Sequence, residues 1–132
     1  MTTPLPAGTP RIQPFLSYPD VSAAIDCLTQ AFGFHVEESV SGPDGTVEHA
    51  VLDIYDGRVM ARRSDEPERP VGSITYVYVD DVDAHFDIAS KYPTVQIVSP
   101  PADEPWGDRT YGALDVGGHS WAFAQRLAAA GS

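Results

Sequence analysis

Few side chains in this sequence combine a reactive type with a suggestive spacing. No Ser-His-Asp arrangement stands out, and the single cysteine, Cys27, lies in an apolar helical segment, where a thiol is usually inert packing. His49 is best suited to general acid–base catalysis, because an imidazole titrates near neutral pH. Arg63 could neutralise an anion. His85 is expected to face solvent, and His119 to serve a structural role at the start of a strand.

Two similar halves must position these side chains. Phe15 to Ala23 aligns with Tyr76 to Ala84 at a spacing of 61 residues, and each copy passes from a strand-like run through Asp-Val into a helical pattern. The same spacing aligns Asp56-Gly57 with Gly117-Gly118. A repeat at constant spacing predicts one supersecondary unit used twice.

Local signals predict a βαβββ order in each half. Asp20 and Asp81 are natural N-caps, and Gly33 and Pro93 mark where the two helices end. The first half is predicted to have strands at 11–18, about 35–40, 46–55 and 58–64. The second half is predicted to have strands at 73–79, about 95–98, 109–115 and 119–126. The fold class is therefore α+β with a mixed sheet.

The predicted domain organisation follows from this order. The boundaries are a flexible arm at 1–10, one domain at 11–126 with unit one at 11–65 and unit two at 72–126, and a tail at 127–132. Ser64 to Gly72 is predicted to be the linker between the units, and Ser99 to Asp108 an ordered loop.

Composition restricts the functional classes. The 132 residues carry 19 acidic and 8 basic side chains, a net charge of −11, which argues against binding nucleic acid or an anionic membrane. No apolar run approaches the ~18 residues of a membrane span. The start, MTTPLPAGTP, lacks the features of a signal peptide. With one cysteine no internal disulfide can form, so we expect a cytoplasmic location.

The end of the second half carries the most specific motif. It reads Trp106-Gly107-Asp108-Arg109-Thr110-Tyr111, followed by Asp115-Val116-Gly117-Gly118-His119-Ser120-Trp121-Ala122-Phe123-Ala124-Gln125. This stretch resembles the W-G-x-R … D-P-x-G-H-x-W-x-F-a-q ending of the vicinal-oxygen-chelate superfamily (glyoxalase, bleomycin-resistance and dioxygenase-like proteins), with Val116 in place of the usual proline. The resemblance covers about residues 11–126. It implies two tandem βαβββ units that form a curved mixed sheet around a ligand cleft. It also implies a homodimer, because related clefts are commonly completed across two chains, and it leaves open whether this cleft forms within one chain or between two.

The resemblance also indicates where metal ligands would stand. In metal-dependent members they lie on the first and last strands of each unit, which at the constant spacing gives Gln13, Ala61, Ile74 and Ala122. Only Gln13 has a donor atom, and a divalent ion needs several. We therefore predict no metal and no other cofactor. A site with non-standard ligands stays open.

Strand alternation predicts the side chains that face the cleft. Trp121 and Phe123 are expected on the opposite face, in the core. The predicted ligand-binding residues are Gln13, Phe15, Ser17, His49, Ala61, Arg63, Ile74, Tyr76, Tyr78, Trp106, Thr110, Gly112 and Ala122.

The set is apolar and aromatic, with sparse polar groups. Such a lining is typical of a site for a bulky planar ligand, and cation–π contact would suit a cationic ligand of an acidic protein. The sequence thus predicts a metal-free protein that sequesters a bulky aromatic or cationic natural product, as in antibiotic resistance by drug binding. The alternative is a metal-independent lyase, isomerase or epimerase with His49 as its acid–base group.

Overall fold

The computed structural model describes residues 4–66 and 72–127, in two successive βαβββ series. Unit one contains β1 (Phe15–Tyr18), α1 (Val21–Gln30), β2 (His35–Ser41), β3 (Val47–Ile54) and β4 (Gly57–Arg63). Unit two contains β5 (Ile74–Tyr78), α2 (Val82–Ser90), β6 (Gln96–Asp103), β7 (Asp108–Leu114) and β8 (Ser120–Arg126). The predicted α+β class and repeated order are confirmed. No helix in the described part of the chain is long and apolar enough to cross a membrane.

Each unit forms its own four-stranded mixed sheet. The strand orders are β1-β4-β3-β2 and β5-β8-β7-β6. The first and last strands of each unit pair in parallel, and the other neighbours pair antiparallel. The two first strands are therefore sheet edges, and each lies directly beside the last strand of its own unit.

The helices start at the predicted aspartates. The carboxylate of Asp20 accepts a hydrogen bond from the backbone N–H of Ala23 at 3.0 Å, and that of Asp81 accepts one from Ala84 at 3.1 Å. A cap of this kind stabilises a helix by about 1 kcal/mol. In each unit the cap fixes the point where the chain turns from the first strand into the helix that covers one face of the sheet.

One aromatic core joins the two units on their helix-covered faces. Phe32 and Phe34, which follow α1, contact Trp121 at centroid distances of 5.7 and 5.4 Å. Phe32 also lies 4.7 Å from Phe123. The opposite faces carry no helix. We term them the open face of unit one, which bears Phe15, and the open face of unit two, which bears Tyr76.

The last hairpin differs between the units by one residue. Ile54 pairs with Gly57, so the β3–β4 turn has only residues 55 and 56 between them. In unit two the N–H of Asp115 bonds to the carbonyl of His119 at 3.0 Å, with residues 116–118 between. The spacing between units is consequently 61 residues from β3 to β7 and 62 from β4 to β8. A one-residue slip moves every side chain of a strand to the other face.

Two strand boundaries depart from the predictions. β1 begins at Phe15, four residues later than predicted, so Gln13 precedes the strand. β6 continues through Pro100 and Pro101 into the predicted loop, which is possible because β6 is an edge strand whose outer N–H groups need no partner. The centre of the predicted linker (67–71), the end of the predicted tail (128–132) and residues 1–3 of the predicted arm lie outside the described residues.

Candidate functional site

Small residues line the centre of the open face of unit two. In one row across the sheet, Tyr76 pairs with Ala122, Ala122 with Gly112, and Gly112 with Ser99. An alanine and a glycine at the middle of a row leave room above the sheet. A β-carbon added at Gly112 would lie 3.0 Å from the Ser99 Oγ, so this space depends on the glycine.

A cavity of about 200 Å³ occupies this centre. Its lining is mostly apolar, with a few hydroxyl groups. On the open face it is lined by Ile74, Val98, Ser99, Thr110, Gly112, Ser120 and Ala122. Four of the predicted ligand-binding residues (Ile74, Thr110, Gly112 and Ala122) are thus brought together.

Two tyrosines extend across the sheet beside this cavity. The hydroxyls of Tyr76 and Tyr78 donate hydrogen bonds to Oδ2 of Asp108 at 2.6 and 2.8 Å. The tyrosines lie on β5 and Asp108 on β7, so the phenol side chains reach across β8 to meet the carboxylate. Trp106 Nε1 donates to the Tyr76 hydroxyl at 3.2 Å. We term Tyr76, Tyr78 and Trp106 the aromatic platform; they are 41%, 50% and 58% exposed.

Asp108 determines the electrostatics of the aromatic platform. Its carboxyl group is buried, and the hydrogen bond from Tyr76, with help from Tyr78 and Arg126, lowers its pKa. Burial and the same hydrogen bond raise the pKa of Tyr76 to about 12, and the bond to Asp108 raises the pKa of Tyr78. Near neutral pH the cluster therefore consists of a carboxylate and two neutral phenols.

Bulkier and more basic side chains occupy the open face of unit one. Phe15 and His49 make an edge-to-face contact with ring centroids 5.8 Å apart, and the guanidinium carbon of Arg62 lies 5.6 Å from the Phe15 centroid. Ser17 is buried, and its carbonyl oxygen lies 2.9 Å from Nε2 of His119. This face contains Phe15, Ser17 and His49 of the predicted set.

Gln13 lies beside the open face of unit one and is already bonded. Its Nε2 donates to the carbonyl of Pro10 at 2.9 Å. Its side chain lines a hollow of about 400 Å³ together with Glu38, Val51 and Arg58. The amide therefore helps to hold the segment before β1 in place.

Two predicted cleft residues lie on the wrong face. Ala61 pairs with Leu16 and Ala50, is 1% exposed and belongs to the core. Arg63 lies on the same covered face and forms ion pairs with Glu48 at 3.0 Å and with the exposed Asp65 at 3.1 Å. Those carboxylates raise the pKa of Arg63. The prediction failed because the constant spacing ignores the extra residue of the second hairpin.

His85 was predicted to face solvent, and this is wrong. Its Nε2 lies 2.8 Å from the carbonyl oxygen of Phe32, and its Nδ1 is hydrogen-bonded to the Tyr111 hydroxyl. Its ring lies 4.3 Å from that of Phe123. Burial lowers the pKa of His85, so the ring acts as a polar link between the units and is removed from either open face.

The residues at the family's metal positions do not fit a divalent ion. Because β4 is shifted by one residue, Met60 and not Ala61 corresponds to Ala122. Gln13, Met60, Ile74 and Ala122 offer one engaged amide, one thioether and two hydrocarbons, whereas such ions need several oxygen, nitrogen or sulfur donors. Over residues 4–66 and 72–127, no three His, Cys, Asp or Glu side chains are grouped to hold a metal ion.

A groove of about 340 Å³ continues the aromatic platform past the edge of β5. Phe34, Ile54 and Val77 contribute to its apolar walls, and Tyr55 lies at the tip of the β3–β4 hairpin. Tyr55 adopts a φ of 51°, a conformation that costs a non-glycine residue of the order of 1 kcal/mol. Its hydroxyl accepts a hydrogen bond from the N–H of Asp80 at 3.2 Å, which ties the hairpin to unit two.

Sequence reasoning missed the roles of Asp108 and Asp115. Asp115 is buried and accepts hydrogen bonds from the Tyr18 hydroxyl at 2.6 Å and from Trp121 Nε1 at 3.0 Å. It also accepts the N–H groups of Gly117 and His119. Both aspartates stand within the Trp106-to-Gln125 motif, so their position next to tryptophan and glycine was the available signal.

Comparison with known families supports this architecture. Residues 11–123 match the family model described as "Glyoxalase/Bleomycin resistance protein/Dioxygenase superfamily". An uncharacterised protein of Mycobacterium tuberculosis is 34% identical over 128 residues, which cover 88% of this chain and 74% of that protein.

Solved structures of similar shape include TioX and a bleomycin-binding protein. TioX from Micromonospora sp. ML1 is 37% identical with a TM-score of 0.72, covering 86% of this chain and 95% of TioX. The bleomycin-binding protein of bleomycin-producing Streptomyces verticillus, solved with copper(II)-bleomycin, is 21% identical with a TM-score of 0.62, covering 93% and 97%. The second likeness concerns the fold alone.

Proposed function

The chain belongs to the glyoxalase/bleomycin resistance protein/dioxygenase superfamily, and from that premise we propose that it is a metal-free small-molecule-binding protein. Its ligand is a bulky aromatic or cationic natural product, and sequestration of that compound protects the cell from it. The observation that carries this proposal is the aromatic platform beside a cavity of small residues on the open face of unit two. A planar ring system can stack there while a few hydroxyl groups orient it.

The size of the cavity bears on how the site is completed. Pockets for drug-sized ligands usually enclose roughly 300–1,000 Å³, and the cavity at Gly112 has about 200 Å³. A bulky ligand would protrude from it, and Tyr76, Tyr78, Ile74 and Phe15 are strongly exposed on the open faces. We propose that a second copy covers these faces in a cytoplasmic homodimer, since symmetric pairs are the most frequent oligomers.

Binding without turnover is tested with the purified protein and candidate compounds. We expect bleomycin or a planar aromatic antibiotic to raise the melting temperature, because a ligand of the native state stabilises it by mass action. After incubation, mass spectrometry should recover the compound unchanged, and expressing cells should tolerate a higher dose. A chemically altered compound would overturn the sequestration proposal.

The proposed dimer has its own test. Sedimentation of the wild type should give twice the mass of one chain, and Phe15→Glu should shift the mass toward the monomer by burying an unpaired charge. The exposed residue Ser39 provides a control, because Ser39→Glu lies on an outer strand. A wild type that sediments as one chain at all concentrations would contradict the homodimer.

A second candidate is a metal-independent lyase, isomerase or epimerase with His49 as its acid–base group. The observation that favours it is the position of His49 on the open face of unit one, paired across the strands with Arg62. His49→Ala should then abolish turnover and retain binding, whereas the exposed His35→Ala should change neither. Equal turnover in both variants would exclude this role for His49.

A further inference from the structure

Three exposed aromatic side chains on unit two are connected by hydrogen bonds to one buried carboxylate. Asp108 is 0% exposed and receives both tyrosine hydroxyls on Oδ2, while Trp106 donates to one of those hydroxyls. We propose that Asp108 makes the aromatic platform selective for cationic aromatic ligands over neutral ligands of the same shape. This inference rests on the proposed function and names the residue that sets its ligand charge.

The carboxylate charge of Asp108 is only partly used within the chain. Both tyrosine bonds fall on Oδ2, and Oδ1 is buried without a hydrogen-bond partner among the described residues, with Nη1 of Arg126 3.3 Å away. Neutral donors do not cancel a negative charge. Water does not reach the group, so its field at the adjacent open face is screened less than that of a surface carboxylate.

A ligand stacked on the aromatic platform would lie within the electric field of Asp108. The face of an aromatic ring attracts a cation through the ring's quadrupole. A phenol that donates its proton to a carboxylate becomes richer in electron density, which strengthens that attraction. Tyr76 and Tyr78 are both in this state, and their rings meet edge to face with centroids 5.5 Å apart. A planar cation lying on either ring would be attracted by these electron-rich rings and by the carboxylate of Asp108 behind them.

Arg126 offsets the charge of Asp108 only in part. Its Nη1 lies 3.3 Å from Oδ1 of Asp108, but the Arg126 side chain is 63% exposed while that of Asp108 is 1% exposed, so solvent screens the guanidinium more than the carboxylate. The same guanidinium nitrogen also donates to the carbonyl of Trp106 at 3.1 Å. The neighbouring Arg109 is paired with Asp83 and Asp103.

The test compares two dyes of nearly equal shape, 10-methylacridinium and acridine, at pH 8, where only the first is charged. Wild-type protein is expected to bind 10-methylacridinium about tenfold more tightly than acridine, as followed by fluorescence titration. Asp108→Asn keeps the shape of the side chain and removes its charge. It should bring the ratio of the two dissociation constants to within about twofold and leave the affinity for acridine unchanged.

Matched variants separate a local effect from net charge and from misfolding. Asp26→Asn removes one exposed acid from α1 and should keep the tenfold ratio, whereas Arg126→Gln should increase it. If Asp108→Asn does not fold, the double variant Tyr76→Phe and Tyr78→Phe retains both rings without their bonds to Asp108 and should also lower the ratio.

The outcomes distinguish this inference from the proposed function. Equal binding of both dyes by the wild type, or a preference that survives Asp108→Asn, overturns the role of Asp108 and leaves aromatic binding standing. Failure of the wild type to bind either dye overturns both proposals together.

Discussion

The open faces of the two units have equivalent rows of paired residues. The side chains at the centre of these rows are large in unit one and small in unit two. The central row of unit one is Phe15, Met60 and Val51, and that of unit two is Tyr76, Ala122 and Gly112. Unit one thus carries bulky side chains at the centre of its sheet, and its hollow of about 400 Å³ is lined by Val51, Arg58 and residues of the segment before β1. Unit two keeps the space above the centre of its sheet open and places aromatic rings beside it. The cavity at Gly112 therefore depends on the small size of two residues in its row, Ala122 and Gly112.

Charge differs between the two faces as well. Unit one presents Arg62 and an Arg58–Asp53 ion pair at 2.6 Å, while unit two places the buried Asp108 behind its tyrosines with Arg126 at 3.3 Å. In a symmetric pair, Arg62 of one copy is suited to meet the tyrosines in front of Asp108 on the other. This complementarity is an additional reason to expect the homodimer.

The largest difference should appear when the last hairpins are mutated. Asp115→Ala removes the acceptor of two buried side chains, Tyr18 and Trp121, and of two backbone N–H groups. We expect a loss of about 3 kcal/mol in the free energy of unfolding, because four buried or part-buried donors lose the carboxylate that accepts from them. Asp56→Ala, in the exposed hairpin of unit one, should cost less than about 0.5 kcal/mol. Urea denaturation measures both losses. Equal losses would mean that the two aspartates contribute equally to stability.

Filling the cavity should make unit two resemble unit one. Gly112→Val inserts the side chain that unit one carries at Val51, into a space where even a β-carbon would lie 3.0 Å from Ser99. We expect binding of 10-methylacridinium to weaken about 100-fold, or about 2.7 kcal/mol. Ser39→Val places the same side chain on the outer strand of unit one and should leave the dissociation constant unchanged. Unimpaired binding by Gly112→Val would place the ligand elsewhere.

The extra residue of the second hairpin brings a glycine against unit one. A β-carbon at Gly117 would lie 2.6 Å from Cδ1 of Tyr18, too close for the buried ring to accommodate. Gly117→Ala should therefore destabilise the fold by about 2 kcal/mol through overpacking. Gly42→Ala, whose added carbon would meet Glu48 at an ordinary 3.4 Å, is the control. A melting temperature that Gly117→Ala leaves unchanged would show that Tyr18 can move aside.

The smallest expected effect concerns pH and the helices. His85 stands four residues after its cap, where unit one has the buried Ala24. Burial lowers the pKa of His85 below its ordinary value of 6.5. The unfolded chain therefore binds a proton at this side chain more readily than the folded chain does. Its contribution to stability is complete above about pH 6.5 and is lost as the pH falls below that value. His85→Gln should flatten the pH dependence of the urea midpoint between about pH 7 and pH 5; parallel curves would argue against burial of a neutral imidazole.

Much of the fold could be predicted because its signals are local. Capping aspartates, helical spacing and glycine turns each act within a few residues, so the elements and their repetition follow from short stretches. The facing of β1, β3, β5, β7 and β8 also follows from alternation once the neighbouring strands are known. The position of Met60, and not Ala61, on the open face could not be predicted, because one additional turn residue does not change the hydrophobic periodicity of the strands.

Links across several strands were beyond the reach of sequence. Tyr76 and Asp108 are 32 residues apart, and their hydrogen bond depends on β8 lying between β5 and β7. Likewise His85 looks like a surface residue of α2, and its burial results from Phe32 of the other unit. Such roles arise from packing between elements, and residue type and local spacing do not encode them.

The unequal hairpins set a rule for building chimaeras of this fold. A final strand moved from one unit to the other keeps its core-facing and open-face residues only if the chains are joined at equivalent rows. Gly57 of unit one and His119 of unit two are such equivalent positions. A cut at a constant distance of 61 residues would turn the transplanted strand inside out and send Trp121 and Phe123 into solvent. Recombination between the halves is thus tolerated at the strand boundary and penalised within the turn.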